Sequence, residues 1–186
     1  MKNRTLRYTD SKDPLSKIPT DRLKEMQRLL HDRGTITVYS DCSAIQDQNI
    51  ISVAACFVGD GETRVESRKL YVGYVNRSVY AELKALTFAI SMLPKILERY
   101  SRRLIKPEQI IVYTDYCHID QILYTEKLSD NNFMREAVSE VLQSLEEFKL
   151  ENKGYDLTIR YIGDEKKHNM YYSAAHNSAR RLLGKK

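Results

Sequence analysis

Residues 109–114, QIIVYT, form a nearly unbroken run of β-forming side chains with little polar surface to offer to water. A strand of this kind belongs to a sheet covered on both faces. The requirement selects an α/β architecture, and the flanking segments supply the helices and further strands. TITVYSDCS (35–43) reads as a strand of alternating β-formers. IISVAACFVGDGETRVESRKLYVGYV (50–75) reads as a hairpin that turns at GDGE (59–62). In SVYAELKALTFAISMLPKILERY (78–100) the period changes. Val79, Leu83, Leu86, Ile90 and Leu93 fall at helical spacing, and Pro94 is expected to kink or split that helix.

A helix is expected from about Cys117, and a long amphipathic one over 130–154 with Phe133, Ala137, Val141, Leu145 and Phe148 on its apolar face. YDLTIRYIG (155–163) reads as a fifth strand and 169–186 as a last helix. Before the first strand, PTDRLKEMQRLLHDRG (19–34) predicts a short helix capped by Thr20, striped by Leu23, Met26, Leu29 and Leu30, and stopped by Gly34. Residues 1–18 lack periodicity and read as an arm. The expected order is β-β-β-α-β-α-α-β-α after a helical extension. That order gives a five-stranded mixed sheet, three antiparallel strands and then two parallel crossovers, flanked by helices. The division predicted is an arm and helix over 1–34 and one α/β domain over 35–186, a length that suits a single core.

Two strands end alike. VYSD closes on Asp41 and VYTD on Asp115, each an aromatic and a hydroxyl residue leading into an acid. A lone acid at a strand end serves most often as a cap or turn residue. If the two strands are parallel neighbours, both carboxylates emerge at one edge, where open α/β sheets bind ligands. Glu82 is a third acid. First-turn dipole compensation explains its place along the helix, but not why it borders the apolar stripe. Three acids held together repel one another, and a hard divalent cation offsets that repulsion. Oxygen-only donors favour Mg²⁺ or Mn²⁺ over zinc.

The element order, with VYSDCS, YAELKALTFAI and IIVYTDYCHI, resembles the ribonuclease H family, type 1-like, over roughly residues 35–184. The resemblance implies a ribonuclease H-like fold and hydrolysis of the RNA strand of RNA/DNA hybrids with two Mg²⁺ or Mn²⁺ ions. Asp41, Glu82 and Asp115 match the family's metal-binding acids, and Ser43 matches the Ser of its Asp-x-Ser motif, a substrate contact. AHNSAR (175–180) matches the pattern carrying the fourth acid and puts His176 in its place, with Asn177 and Asp164 as alternatives. His168 falls in the loop where the family often carries a mobile His that assists product release. Besides His176 for Asp, three features depart from the pattern: Cys42 for Gly, Tyr116 for Ser, and no glycine-rich stretch between the first two strands.

The net charge of +5 is a mild excess and is unevenly spread. Arg99, Arg102, Arg103 and Lys106 cluster after the long helix, and Lys166 and Lys167 precede the last one. Arg102, Arg103, Lys166 and Lys167 are the candidate phosphate contacts, since a hybrid duplex is read through its backbone and 2′-hydroxyls. The widely spaced Cys42, Cys56 and Cys117 fit neither a disulfide framework nor a zinc knuckle. No apolar run reaches the length of a membrane span, and the polar N-terminus lacks a secretory signal. The expectation is a cytoplasmic, monomeric nuclease. The alternatives are a catalytically weak or inactive nucleic-acid-binding domain of this fold and another nuclease of it, a resolvase or exonuclease.

Overall fold

The computed structural model describes residues 18–73, 78–125 and 131–185. The predicted arm falls outside these residues except for Ile18. So do positions 74 and 75 of the hairpin, Asp130 and Lys186. The elements are α1 (Thr20–His31), β1 (Thr35–Ile45), β2 (Ile50–Gly59), β3 (Glu62–Tyr71), α2 (Ser78–Arg102), β4 (Gln109–Thr114), α3 (Ile119–Thr125), α4 (Asn132–Glu151), β5 (Asp156–Tyr161) and α5 (Met170–Leu182). They form one five-stranded mixed sheet in the order β3-β2-β1-β4-β5. β1, β2 and β3 pair antiparallel; β1–β4 and β4–β5 pair parallel.

The hairpin register follows from its turn. Asp60 and Gly61 are the two loop residues, with φ 47° and 75°, and Gly59 pairs with Glu62. Positive φ at both central positions is the turn whose twist matches the flanking strands, and Asp-Gly is a favoured sequence for it.

α2 lies against one sheet face and α4 backs it. The core between them holds Ile36, Val38, Val53, Leu83, Leu86, Ile90, Ile110, Val112 and Val141, all at most 1 % exposed. α5 covers the other face over β1, β2 and β3, and Met26 of α1 joins the smaller cluster there with Tyr39, Cys56, Tyr171 and Ala175. The strand buried along its whole length is therefore β2. β4 is buried on the α2 face only; on the other, Ile111 and Tyr113 are half-buried, because α5 is centred on the far side of β1.

Several local expectations are corrected. α2 runs through Pro94 without splitting. The bond that Pro94 cannot donate is outweighed by burial of Leu93, Ile96 and Leu97 on both sides of it. Pro19, not Thr20, occupies the N-cap of α1, without a side-chain cap bond. The helix stops before Gly34, where Asp32 Oδ1 accepts from the N–H groups of Gly34 and Thr35 at 2.8 and 3.0 Å. In α4, Phe133 is 42 % exposed and Met134 is buried in its stead. α3 starts at Ile119, two residues after the expected position. Cys42, Cys56 and Cys117 are free thiols. Among the described residues no helix is long and apolar enough to cross a membrane.

Asn169 caps α5: its Oδ1 accepts from the N–H groups of Tyr171 and Tyr172, both at 3.0 Å. Asn169→Ala is expected to lower unfolding free energy by about 1–2 kcal/mol, measured by urea titration.

Candidate active site

β1 and β4 pair in parallel as far as Tyr39 opposite Tyr113. The Ser40 hydroxyl donates to the Tyr113 carbonyl at 3.0 Å, and beyond this the strands part. β4 ends at Thr114, while β1 continues to Ile45 because β2 still pairs with it. Asp41 therefore lies inside β1 and not at its end, which corrects the expected boundary. The fork lets side chains from both sheet faces meet. Asp41 reaches Tyr172 and His176 of α5 on one face, and the next residue, Cys42, donates its Sγ–H to Glu82 Oε1 of α2 at 3.1 Å on the other. Asp115 follows β4 across the gap. Asp41, Glu82 and Asp115 each present one oxygen such that all three lie within 4.8 Å of one another.

Asp41 is 2 % exposed and Glu82 9 %; the Asp115 side chain is 24 % exposed. Burial pushes the Glu82 carboxyl well above the usual carboxylate range, and the charges of Asp115 and Asp41 push it further. Burial also raises Asp41, against a partial offset from His176, whose Nδ1 is 2.8 Å from Asp41 Oδ2. The Cys42 thiol is driven well up by burial and then by Glu82, so it stays protonated and able to donate. The Tyr172 hydroxyl lies 3.1 Å from Asp41 Oδ1 and 3.2 Å from Asp115 Oδ2. Lys166 Nζ is 3.9 Å from Asp115 Oδ2. Glu82 Oε2 is buried and has no hydrogen-bond partner.

That unpartnered oxygen tests whether the residues fit a cation. An uncompensated buried carboxylate oxygen is costly, and its neighbours in the cluster are acids. The donors are hard and all oxygen, so the cluster can hold a hard divalent ion.

The other predicted residues separate. Lys166, Lys167 and His176 line a cleft of about 460 Å³ with Asp164, Tyr172 and Ser173. Asn177 lines a groove with Ile18 and Val65 and is not among the residues of this cleft. His168, at φ 69°, lines a cavity bordered by α1, with Arg22, Arg28 and Tyr113, and also the groove that holds Asn177. Ser43 is nine-tenths buried opposite Ser52 in the β1–β2 ladder, which leaves little of it for a substrate. Arg102 and Arg103 lie farthest from the acids. They sit at the far end of α2, roughly 30 Å along the helix from Glu82. Arg102 pairs with Glu98, and Arg103 pairs with Asp60 and Glu62 of the β2–β3 turn.

Sequence reasoning missed Tyr172. It precedes His176 by four residues, the spacing that puts two side chains on one helix face, and their rings stack with centroids 6.3 Å apart.

No family model matches the sequence, and no curated protein does. Among solved structures, the chain is similar to ribonuclease H1 from the halophilic archaeon Halobacterium salinarum NRC-1, at 16 % identity and TM-score 0.55, over 78 % of this chain and 97 % of that one. It is also similar to LC11-RNase H1, isolated from compost by a metagenomic approach, at 18 % identity and TM-score 0.55, over 81 % and 99 % of the two chains. A structure of LC11-RNase H1 in complex with RNA/DNA hybrid aligns at 17 % identity and TM-score 0.53, over 80 % and 99 %. Strand order, crossover pattern and these superpositions agree that the chain has the ribonuclease H fold.

Proposed function

We propose that this chain is a metal-dependent endoribonuclease that hydrolyses the RNA strand of RNA/DNA hybrids. The observation that carries the reading is the convergence of Asp41, Glu82 and Asp115 at the strand fork, with a buried Glu82 oxygen left unpartnered. Two Mg²⁺ or Mn²⁺ ions, when bound there, would supply the charge needed to activate water and to offset the charge on the departing oxygen.

The three acids would hold these ions. His176, bonded to Asp41 through Nδ1, keeps Nε2 for a cation or a phosphate, which supports it as the fourth member of the set. Lys166 and Lys167 line the adjoining cleft and would take backbone phosphates. The hybrid held by LC11-RNase H1, a protein of the same fold, supports this choice of substrate. The unit responsible would be residues 35–186.

A second reading is a nucleic-acid-binding domain with little or no turnover. It is favoured by Tyr172 and Lys166, which already engage the aspartates. One assay separates the readings. End-labelled RNA/DNA hybrid, duplex DNA, duplex RNA and a branched DNA are incubated with folded protein in Mg²⁺ or Mn²⁺. Cleavage confined to the RNA strand of the hybrid is expected. Salt-sensitive binding of the hybrid without cleavage in either ion would favour the second reading. Cutting of the branched DNA alone would point to a resolvase.

A further inference from the structure

Tyr171 and Tyr172 are consecutive residues with opposite destinations. Asn169 accepts from both of their backbone N–H groups and so fixes the first turn of α5. Tyr171 turns into the smaller core and donates to the Met26 carbonyl at 2.9 Å. Tyr172 turns to the strand fork, where its ring stacks on His176 and its oxygen comes to rest between two carboxylates.

The hydroxyl has one proton and two acidic neighbours, Asp41 Oδ1 at 3.1 Å and Asp115 Oδ2 at 3.2 Å. Asp41 lies in β1 and Asp115 just after β4, and no β1–β4 pairing continues past Tyr39 and Tyr113. Left alone they would repel and separate. A single neutral donor shared between them opposes that without neutralising either, and each carboxylate oxygen retains a lone pair for another partner. The phenol is an O–H donor to both, since an ordinary tyrosine hydroxyl keeps its proton near neutral pH. Of the two acids, His176 touches Asp41 alone, and Lys166 approaches Asp115 alone.

We propose that Tyr172 is a positioning residue whose hydroxyl sets the separation of Asp41 and Asp115 for a divalent cation. The inference rests on the metal-dependent reading of the site and deepens it. Groups that orient metal ligands without touching the metal are generally worth 10–100-fold in affinity.

The test is Tyr172→Phe, which keeps the ring and its stack on His176. Manganese binding to the cation-free protein is followed by electron paramagnetic resonance of free Mn²⁺. The variant is expected to bind Mn²⁺ about 10–100-fold more weakly than the parent. Cleavage should regain parental kcat once Mn²⁺ is raised in proportion, with KM for the hybrid unchanged. Tyr171→Phe, which removes the neighbouring hydroxyl from the other side of the helix, should leave Mn²⁺ affinity unchanged. Equal affinity of parent and Tyr172→Phe would overturn the proposal. Tighter binding by the variant would overturn it too, showing the hydroxyl to be a competitor for the cation's place. If the parent binds no Mn²⁺, both the positioning role and the metal-dependent reading fall. If it binds Mn²⁺ with the expected difference but cleaves nothing, the positioning role stands and only the nuclease reading falls.

Discussion

Asp115→Asn is expected to abolish cleavage of the hybrid while making the cation-free protein more stable than its parent. The two effects have one origin. Asp115 adds a third negative charge to a cluster in which Asp41 and Glu82 are already buried, and its charge contributes to raising both of their pKa values. Without a cation this charge is a liability. Asparagine keeps the shape and an oxygen that accepts from Tyr172, and it removes the repulsion. With a cation the same charge is a ligand. Losing several kcal/mol of charge stabilisation in the transition state corresponds to about three decades or more in rate. Single-turnover cleavage under saturating Mn²⁺ reads the first effect, and calorimetry in chelator reads the second. A chain of this length shifts its melting temperature by roughly 2–4 °C per kcal/mol, so even a modest gain is visible. A variant that loses stability in chelator would show that Asp115 is a structural acid, tied down by Lys166 and Tyr172.

The architecture was legible because its determinants are local. Asp60-Gly61 fixes a hairpin, the helical period of 78–93 announces a crossover, and QIIVYT needs a cover. Parallel pairing of β1 with β4 then follows from topology, and with it the meeting of Asp41 and Asp115. What the sequence hides are features that no local pattern encodes. Arg102 and Arg103 read as phosphate contacts because charge density is visible in sequence, whereas the length of α2, which carries them to the opposite end of the sheet, acts only in three dimensions. The apolar run of β2 has as strong a claim to two covered faces as that of β4, and the placement of α5 decides between them. Asp41 reads as a strand end because β4 really does end there, and nothing in TITVYSDCS says that β2 pairs on to Ile45. Tyr172 was hidden for a different reason. A tyrosine in a helix is usually a core or surface aromatic, and its hydroxyl acquires meaning only once two carboxylates from elsewhere in the chain lie beside it.

Stability of the cation-free protein should carry an inverted contribution from the cluster, and Mn²⁺ should cancel it. In most proteins paired carboxylates have lowered pKa values, and their stabilisation is lost on acidification. Asp41 and Glu82 are raised in the folded state. Above the ordinary carboxylate range the folded chain therefore holds protons that the unfolded chain has released. The contribution of these two groups is most favourable below that range and is lost as pH rises through their raised values. Near neutral pH the fold carries this strain, and a divalent ion binding only the folded state relieves it. At a hundred times its dissociation constant such an ion adds about 2.7 kcal/mol, or roughly 5–11 °C in melting temperature. Near pH 5 the ion must compete with protons on Glu82 and Asp41, so at the same Mn²⁺ concentration the shift should shrink. Differential scanning calorimetry with Mn²⁺ and with chelator, stepped from about pH 5 to about pH 8, measures both branches. In Asp41→Asn the Mn²⁺ shift should largely disappear, and the fall in chelator stability with rising pH should be shallower, because the buried charge that helps to raise Glu82 has gone. A Mn²⁺ shift of equal size at both ends of the pH range, or one that survives in Asp41→Asn, would place the ion elsewhere on the protein and leave the fork as a strained acidic cluster without a metal.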